Sequence, residues 1–224
     1  MIGFQILKRT RKVDERVVMR FRELPVANVS DSMHRMAAGG ARLKPMHRGG
    51  RMSGPAITVK TRPGDNIMVH KALDLAEPGD VLVVDAGGDL TNAIIGEIMS
   101  GYAQQRGLAG IVIHGAIRDA ETIRAGSFPV FAAGVTHRGP YKDGPGEINV
   151  PVAIDGMVIQ PGDLMLGDGD GILCVPYDAV DAVYAAAMER QKLEQRDIRA
   201  SADGTLDRAW VDVTLRRLGC ALPD

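Results

Sequence analysis

Short apolar runs alternate with stretches of helical periodicity along the middle of the chain. Each run is bounded by turn-forming residues, a pattern typical of buried strands. The runs are AITVKT (56–61), VLVVD (81–85), IVIHG (111–115), PVFAA (129–133), LMLGD (164–168) and ILCVP (172–176). Because strands that alternate with helices pair side by side in a parallel sheet, this pattern predicts an α/β fold.

The stretch between the second and third of these runs predicts an amphipathic helix. Ile94, Ile98 and Tyr102 recur every four residues and would share one face, and Gly107 stands where a left-handed cap would end the helix. A shorter helix is predicted over Ser30–Ala38, capped by one of its first two residues.

Three turns share the sequence Pro-Gly-Asp. Pro fixes φ at the first central position of such a turn and Gly accepts the second, so each is expected to start a new element. The three are Pro63-Gly64-Asp65, Pro78-Gly79-Asp80 and Pro161-Gly162-Asp163. We interpret them as shared turn chemistry rather than as an internal repeat. In addition, Asp155-Gly156 lies between two apolar runs and predicts a two-residue hairpin turn.

No domain boundary is evident within the central part of the 224-residue chain. We therefore predict a single domain over residues 21–190, preceded by an N-terminal helix or arm at 1–20. An alanine-rich stretch from about Asp178 to Ala200 predicts a long helix. Residues 191–224 are predicted to form a C-terminal helical extension, although 201–224 carry no clear pattern.

Charge and composition exclude several classes of protein. Lys and Arg number 27 and Asp and Glu 28, so the formal net charge of −1 provides no field for nucleic acid or an anionic membrane. No apolar run approaches the roughly 20 residues that span a bilayer. At the N-terminus a short apolar patch precedes the charged residues, whereas a signal peptide has basic residues first and then a longer apolar stretch. Two cysteines make neither a disulfide framework nor a zinc site. We expect a cytoplasmic protein without nucleic-acid or membrane partners.

Polar residues gather where two of the predicted strands end. A helix is expected to begin near Gly96, shortly after VLVVD, and IVIHG leads directly to Arg118 and Asp119. In open α/β sheets ligands bind outside the carboxyl ends of strands, and a helix start favours an anion. Arg binds a carboxylate through two parallel hydrogen bonds, and Asp binds a hard cation. The same residues also fit structural roles, with Asp119 as the cap of a helix over 120–125, Arg118 on the surface and Glu97 as a first-turn charge.

Three segments of the sequence resemble a known family. They are GDNIMVHKAL (64–73), GGDLTNAIIGEIMSGYAQQRGLAGIVIHGAIRDAETI (87–123) and PGDLMLGDGDGILCVP (161–176). Over about residues 20–190 the chain is similar to the 4-hydroxy-4-methyl-2-oxoglutarate / 4-carboxy-4-hydroxy-2-oxoadipate aldolases and to the related regulators of ribonuclease activity A. The resemblance implies a swivelling β/β/α-type fold and a homotrimer or homohexamer with sites between subunits.

The same resemblance implies a chemistry. Members of this family use Mg²⁺ or Mn²⁺ to cleave 4-hydroxy-2-oxo diacids to pyruvate, and many decarboxylate oxaloacetate. Arg118 would bind the oxygens of the substrate, Asp119 would be the direct metal ligand, Glu97 would orient a water on the metal, and Asn66 would line the pocket. The pyruvoyl carboxylate would meet the backbone amides of Gly96, Glu97, Ile98 and Met99.

Two features of the chain depart from the family pattern. The pair before the Arg-Asp motif is His114-Gly115, where the family usually has Asp-Gly. The C-terminal segment also matches poorly, and there the charged stretch MERQKLEQRDIR fits either a solvated helix face or a lid for a neighbouring subunit. In the second case Glu194 would reach across to a water on the metal.

The sequence therefore leads to one main hypothesis and two alternatives. The main hypothesis is a metal-dependent aldolase or decarboxylase of 2-oxo acids. One alternative is a non-catalytic, protein-binding regulator of ribonuclease activity, for which a site of metal and carboxylate ligands would have no use. The other is an enzyme of the same fold that acts on a different acid, which His114 leaves open.

Overall fold

A computed structural model describes residues 2–37, 39 and 41–223 of the chain, in which a mixed β-sheet is flanked by helices. The strands are β1 (Phe4–Ile6), β2 (Lys44–Pro45), β3 (Met52–Thr61), β4 (Val81–Asp85), β5 (Ala93–Ile95), β6 (Gly110–Ile117), β7 (Val130–Val135), β8 (Gly146–Ile148), β9 (Val152–Ile154), β10 (Met157–Ile159), β11 (Leu164–Asp168) and β12 (Gly171–Val175). The helices are α1 (Glu15–Phe21), α2 (Val26–Ser32), α3 (Ile67–Leu75), α4 (Glu97–Gln105), α5 (Ala120–Ala125), α6 (Val180–Asp203) and α7 (Ala209–Arg217).

Four parallel strands, β3, β4, β6 and β7, form the centre of the sheet. Over the described residues the strand order is β1-β8-β3-β4-β6-β7-β2, with β8 and β2 antiparallel to their central neighbours. β11 pairs antiparallel with β3 and with β12, and the short β5 pairs with the end of β6. β9 and β10 form a separate hairpin. The predicted α/β fold class is confirmed.

The central strands are buried on both faces, which explains their continuous apolar sequences. In β4, Leu82 and Val84 pack with the residues of α3 and α4. Val81 and Val83 point to the other face, where they pack with β9, β10, β11 and β12. The sheet is therefore covered by helices on one side and by strands on the other.

Each of the three Pro-Gly-Asp turns is followed by a new element, as predicted: α3 after the first, β4 after the second and β11 after the third. Their glycines have the positive φ that this turn requires: 78° at Gly64, 87° at Gly79 and 91° at Gly162. The aspartates are almost completely buried, with 0%, 0% and 2% exposure for Asp65, Asp80 and Asp163. The Asp155-Gly156 hairpin turn is confirmed as well, since both residues have positive φ and join β9 to β10.

The helix predicted over Ser30–Ala38 is wrong in position. α2 begins at Val26, after Pro25, and ends at Ser32, so Ser30 lies near its end; Ala38 falls outside the described residues. The cap comes from a distant part of the chain, because the carboxylate of Asp168 accepts a hydrogen bond of 2.9 Å from the backbone N–H of Val26. A cap supplied by tertiary structure leaves no local sequence signal.

The prediction that Ile94, Ile98 and Tyr102 share a buried helix face is also wrong. Ile94 belongs to β5, and in α4 Ile98 is 83% and Tyr102 42% exposed. Pairing of β5 with β6 keeps residues 93–95 extended, so the helix begins only after Gly96 and its buried face shifts by one residue. The predicted end is confirmed, because Gly107 has φ +77° just after α4.

By their internal contacts the residues fall into two units, Met1–Ala187 and Met188–Asp224. The first holds the sheet, and the second holds most of α6 and all of α7, so the predicted C-terminal helical extension is confirmed. The division of the chain after residues 20 and 190 stays a prediction. Among the described residues, no helix combines the length and apolarity that a bilayer crossing needs.

Candidate active site at the strand ends

A cavity of about 160 Å³ opens beside the ends of β5 and β6 and the start of α4. Its lining contains most of the residues that the sequence pointed to and several that it did not. The lining residues are Asn66, His70, Ile94, Ile95, Gly96, Ile98, Met99, Arg118, Asp119, Pro140 and Lys142.

Asp119 connects the end of β6 to the start of α4. It precedes α5 with left-handed backbone angles, φ 56° and ψ 38°, which are uncommon for a residue with a side chain. Its side chain makes no capping hydrogen bond to α5. Instead, its Oδ2 accepts a hydrogen bond of 3.0 Å from the backbone N–H of Glu97, the first residue of α4. The sequence left open whether Asp119 caps the helix that follows it; its carboxylate caps a different helix and faces the cavity.

Gly96 is required by the position of that carboxylate. A Cβ atom at residue 96 would overlap Oδ2 of Asp119 and lie 2.9 Å from Cγ of Arg118. The backbone of Gly96 is extended, with φ −146°, so other residues could adopt its conformation. The absence of a side chain, rather than unusual backbone freedom, is therefore what this position demands.

Arg118 is anchored by its backbone and leaves its side chain partly exposed. Its N–H donates to the carbonyl oxygen of Ile95 over 3.0 Å, which continues the pairing of β5 with β6. Its Nε lies 3.8 Å from Oδ2 of Asp119, and the two side chains are 44% and 41% exposed. A cation and a carboxylate are thus held side by side with part of each facing solvent, an arrangement that can bind the oxygens of an acid.

Asn66 is a buried amide with half of its hydrogen-bonding capacity unused. Its side chain is in the cavity lining and the residue is 2% exposed. Nδ2 donates to the carbonyl oxygen of Ile94 over 2.8 Å, whereas Oδ1 has no hydrogen-bond partner within the described structure. An unpaired buried acceptor costs about 1–3 kcal/mol, so a ligand with a hydroxyl or amide hydrogen would gain by pairing with it.

Two basic residues, His70 and Lys142, also line the cavity, and sequence reasoning missed both. Partial desolvation of the ring, together with the positive charge of Lys142, lowers the pKa of His70 below its ordinary value, while Asp74 opposes the shift. His70 is therefore neutral near pH 7. His70 lies within the GDNIMVHKAL segment without any ligand spacing, and Lys142 lies in a loop without a motif.

Glu97, Glu194 and His114 are outside this lining. The side chain of Glu97 lines a neighbouring groove between α4 and α5 with Ser100 and Thr122. Glu194 lies on α6 in the second unit, so its reach to a partner subunit stays a prediction. His114 Nδ1 is 3.0 Å from Asp85 Oδ1 on the neighbouring strand.

The side chains around the cavity fit the divalent cation that the family resemblance implies. Within the part of the chain that the structure describes, no three His, Cys, Asp or Glu side chains cluster as a metal cage. Mg²⁺ does not need one, because it commonly binds one or two carboxylates and keeps several waters or substrate oxygens. Asp119 offers one partly exposed carboxylate in the cavity, so the residues fit a weakly held hard cation.

A family model and a relative of known sequence both match this chain. The model of the RraA-like family, described as Aldolase/RraA, matches residues 26–174. A protein of Halalkalibacterium halodurans with the provisional name 4-hydroxy-4-methyl-2-oxoglutarate aldolase is 39% identical over 189 residues, which are 84% of this chain and 90% of that protein.

Solved structures show the same fold. An uncharacterised protein from Pseudomonas syringae superposes with a TM-score of 0.75 at 30% identity, covering 86% of this chain and 95% of the other. The RNA-processing inhibitor RraA from Thermus thermophilus superposes with a TM-score of 0.63 at 33% identity, covering 69% and 93%. The family and fold predicted from the sequence are thus confirmed, and the chain belongs to the RraA-like family of aldolases and RraA proteins.

Proposed function

We propose that the protein is a divalent-metal-dependent aldolase that cleaves 4-hydroxy-2-oxo diacids to pyruvate and decarboxylates oxaloacetate. The observation that carries this proposal is the junction of Gly96, Arg118 and Asp119 in one cavity. A carboxylate that can hold a hard cation lies there next to a guanidinium and a helix start, and a Cβ at residue 96 would collide with the side chains of both Asp119 and Arg118. The provisional name of the Halalkalibacterium relative agrees with it.

The groups of the cavity match the parts of such a substrate. Ile98 and Met99 lie in the first turn of α4, where backbone N–H groups have no partner within the helix. In this proposal, these two N–H groups donate hydrogen bonds to the carboxylate of the substrate that is next to the 2-oxo group. Arg118 supplies a fixed positive charge beside the oxygen that becomes an enolate. Oδ1 of Asn66 keeps an unused acceptor in the same lining, which a hydrogen of a water bound with the substrate would satisfy.

Asp119 would hold the cation, which we propose to be Mg²⁺ or Mn²⁺. When bound, it would supply Lewis acidity toward the 2-oxo group of the substrate. Cleavage of the C3–C4 bond and loss of CO₂ from oxaloacetate both leave the enolate of pyruvate, so one set of residues would serve both reactions.

Two residues are candidates for accepting the proton of the 4-hydroxyl group. His70 lines the cavity and its lowered pKa keeps the ring unprotonated near pH 7. Glu97 is the sequence-based candidate by way of a water that it would orient and that would accept the proton, and Glu97 lines the groove beside the cavity. Comparing His70→Gln with Glu97→Gln separates them, because the variant that lacks the acceptor loses kcat in aldol cleavage and keeps oxaloacetate decarboxylation, which needs no such proton transfer.

The experiment that tests the proposal is a coupled assay of pyruvate release. The purified protein is given 4-hydroxy-4-methyl-2-oxoglutarate, 4-carboxy-4-hydroxy-2-oxoadipate or oxaloacetate, with Mg²⁺, with Mn²⁺ or with EDTA, and lactate dehydrogenase reports pyruvate. The proposal predicts release that requires the metal and disappears in Asp119→Asn. Absence of release from every substrate with both metals would contradict it and favour a regulator similar to the RNA-processing inhibitor RraA of Thermus thermophilus.

A further inference from the structure

One of the three Pro-Gly-Asp turns borders the cavity, whereas the other two do not. Asp65 directly precedes Asn66, a lining residue. Asp80 instead accepts hydrogen bonds from Arg9 and from the N–H of Glu77, and Asp163 accepts from the N–H groups of Gln160 and Tyr177. The chain therefore contains one such turn at the cavity and two matched turns away from it.

The buried carboxylate of Asp65 joins two segments that are distant in sequence. Its Oδ1 accepts from the N–H of Ile67 over 3.0 Å, at the start of α3. Its Oδ2 accepts from the N–H of Asp143 over 2.7 Å and from that of Gly144 over 2.8 Å. Asp65 is 0% exposed, so bulk solvent does not reach these bonds.

Backbone contacts reinforce the same junction from the other side of Lys142. The N–H of Tyr141 donates to the carbonyl oxygen of Gly64 over 2.8 Å, and the N–H of Asn66 donates to that of Tyr141 over 3.0 Å. Lys142 therefore has a tethered residue on each side, Tyr141 before it and Asp143 after it. The exposed side chain of Lys142 starts from a fixed backbone at the edge of the cavity.

The charge of Lys142 has no counterpart in the chemistry assigned so far. Arg118 and the α4 start account for the 2-oxo acid end of the substrate, but each proposed substrate carries at least one further carboxylate. Lys142 lines the same cavity as Arg118 and His70, and its positive charge contributes to lowering the pKa of the His70 ring.

We propose that Asp65 is a positioning residue that holds Lys142 at the cavity, where Lys142 binds the carboxylate of the substrate that is remote from the 2-oxo group. This inference rests on the proposed function for the identity of the ligand. It assigns the preference for diacids over monoacids to a lysine on a tethered loop.

A binding measurement tests this without relying on turnover. The probes are 2-oxoglutarate and 2-oxopentanoate, which share the 2-oxo acid end and chain length and differ in the second carboxylate. Their dissociation constants are measured by calorimetry in the presence of Mg²⁺ for the wild type, Asp65→Asn, Lys142→Met and the double variant. Asp163→Asn serves as the matched control, since it damages the same type of turn away from the cavity.

We expect the wild type to bind the diacid roughly tenfold more tightly, the value of one charged hydrogen bond. Lys142→Met should lose that preference, Asp65→Asn should lose it to a similar extent, and the double variant should lose no more than either. Asp163→Asn should lower the melting temperature and keep the preference. If Asp65 acted only through its negative charge, Asp65→Asn would bind the diacid more tightly than the wild type. The positioning role predicts weaker binding instead.

Two results would overturn the inference. One is a preference that survives in Lys142→Met, which remains decisive even if Asp65→Asn does not fold. The other is that Asp65→Asn reduces the preference for the diacid by the same factor in the wild-type background as in the Lys142→Met background. The pyruvate assay on the same preparations keeps the two proposals distinguishable. If Asp65→Asn and Lys142→Met both lose the preference for the diacid but the wild type releases no pyruvate, only the proposed reaction is contradicted. If the wild type releases pyruvate but the two variants do not lose the preference together, only the role of Asp65 is contradicted.

Discussion

The two walls of the cavity are held in place by different means. The strand-end wall comes from the end of β5, the start of α4 and the two residues after β6, whose backbones are fixed by the sheet. Its residues are Ile94, Ile95, Gly96, Ile98, Met99, Arg118 and Asp119. The loop wall, Asn66, His70, Pro140 and Lys142, is held by the hydrogen bonds around a buried carboxylate, that of Asp65.

This difference in construction suggests a division of labour. Sheet-bound residues keep their geometry within narrow limits, which suits the groups that stabilise developing charge. A tethered loop tolerates substitutions of its side chains, which suits selection among acids. Substitutions in the strand-end wall should therefore reduce turnover of every substrate, whereas those in the loop wall should change the ranking of substrates.

The largest effect is expected for Gly96→Ala in the strand-end wall. The new methyl group would displace the carboxylate of Asp119 and press on Arg118, so kcat/KM should fall about 100-fold or more for both aldol cleavage and decarboxylation. Overpacking should also cost about 1–3 kcal/mol of stability. The measurements are steady-state kinetics and chemical denaturation.

Gly101→Ala in the same helix is the matched control. A Cβ there meets nothing within 4 Å, so this variant should keep its activity and gain about 0.5–1 kcal/mol from helix propensity. Equal loss of activity in both variants would mean that α4 tolerates no substitution at all and that the clash with Asp119 is irrelevant.

A smaller but still large effect is expected for Arg118→Lys. An ammonium group cannot form the two parallel hydrogen bonds of a guanidinium, so the lysine variant should be nearly as impaired as Arg118→Ala. Retention of more than about a tenth of kcat/KM, or a loss below ~1.4 kcal/mol, would argue against a bidentate contact. Arg124→Lys, at an exposed position of α5, is the control and should behave as the wild type.

The smallest effect concerns the loop wall and pH. Because the pKa of His70 is lowered in the folded protein, the unfolded chain binds more protons than the folded one as the pH falls below about 6.5. His70 therefore destabilises the fold in acid and has no such effect above pH 7. The melting temperature of His70→Gln relative to the wild type should be higher at pH 5.5 than at pH 8. If this difference between variant and wild type is the same at both pH values, the lowered pKa of His70 is contradicted.

The fold was largely predictable because its strands are short, apolar and bounded by turns of strong sequence preference. The positions of α2 and α4 were not, since α2 is capped by Asp168 and α4 by Asp119, both from distant parts of the chain. Local periodicity carries no information about such partners, and it placed Ile94 in a helix although pairing with β6 makes it part of a strand.

The candidate site was predictable in part, through adjacent charges at a strand end and through the family motifs. Arg118 and Asp119 stand out as adjacent charges at the end of a strand, and Asn66 entered only through the resemblance. Lys142 reaches the cavity because Asp65 tethers its loop, a relation between residues far apart in sequence. The roles assigned to Glu97 and Glu194 stay predictions.

Metal affinity of Asp119→Asn tests the central claim of this account most directly. Binding of Mn²⁺ is followed by electron paramagnetic resonance of the free ion, in the wild type, in Asp119→Asn and in Asp170→Asn, which changes an exposed aspartate in the β11–β12 turn. We predict that Asp119→Asn weakens Mn²⁺ binding about tenfold or more, whereas Asp170→Asn leaves it unchanged. Equal Mn²⁺ affinity in the wild type and Asp119→Asn would contradict the assignment of Asp119 as the metal ligand.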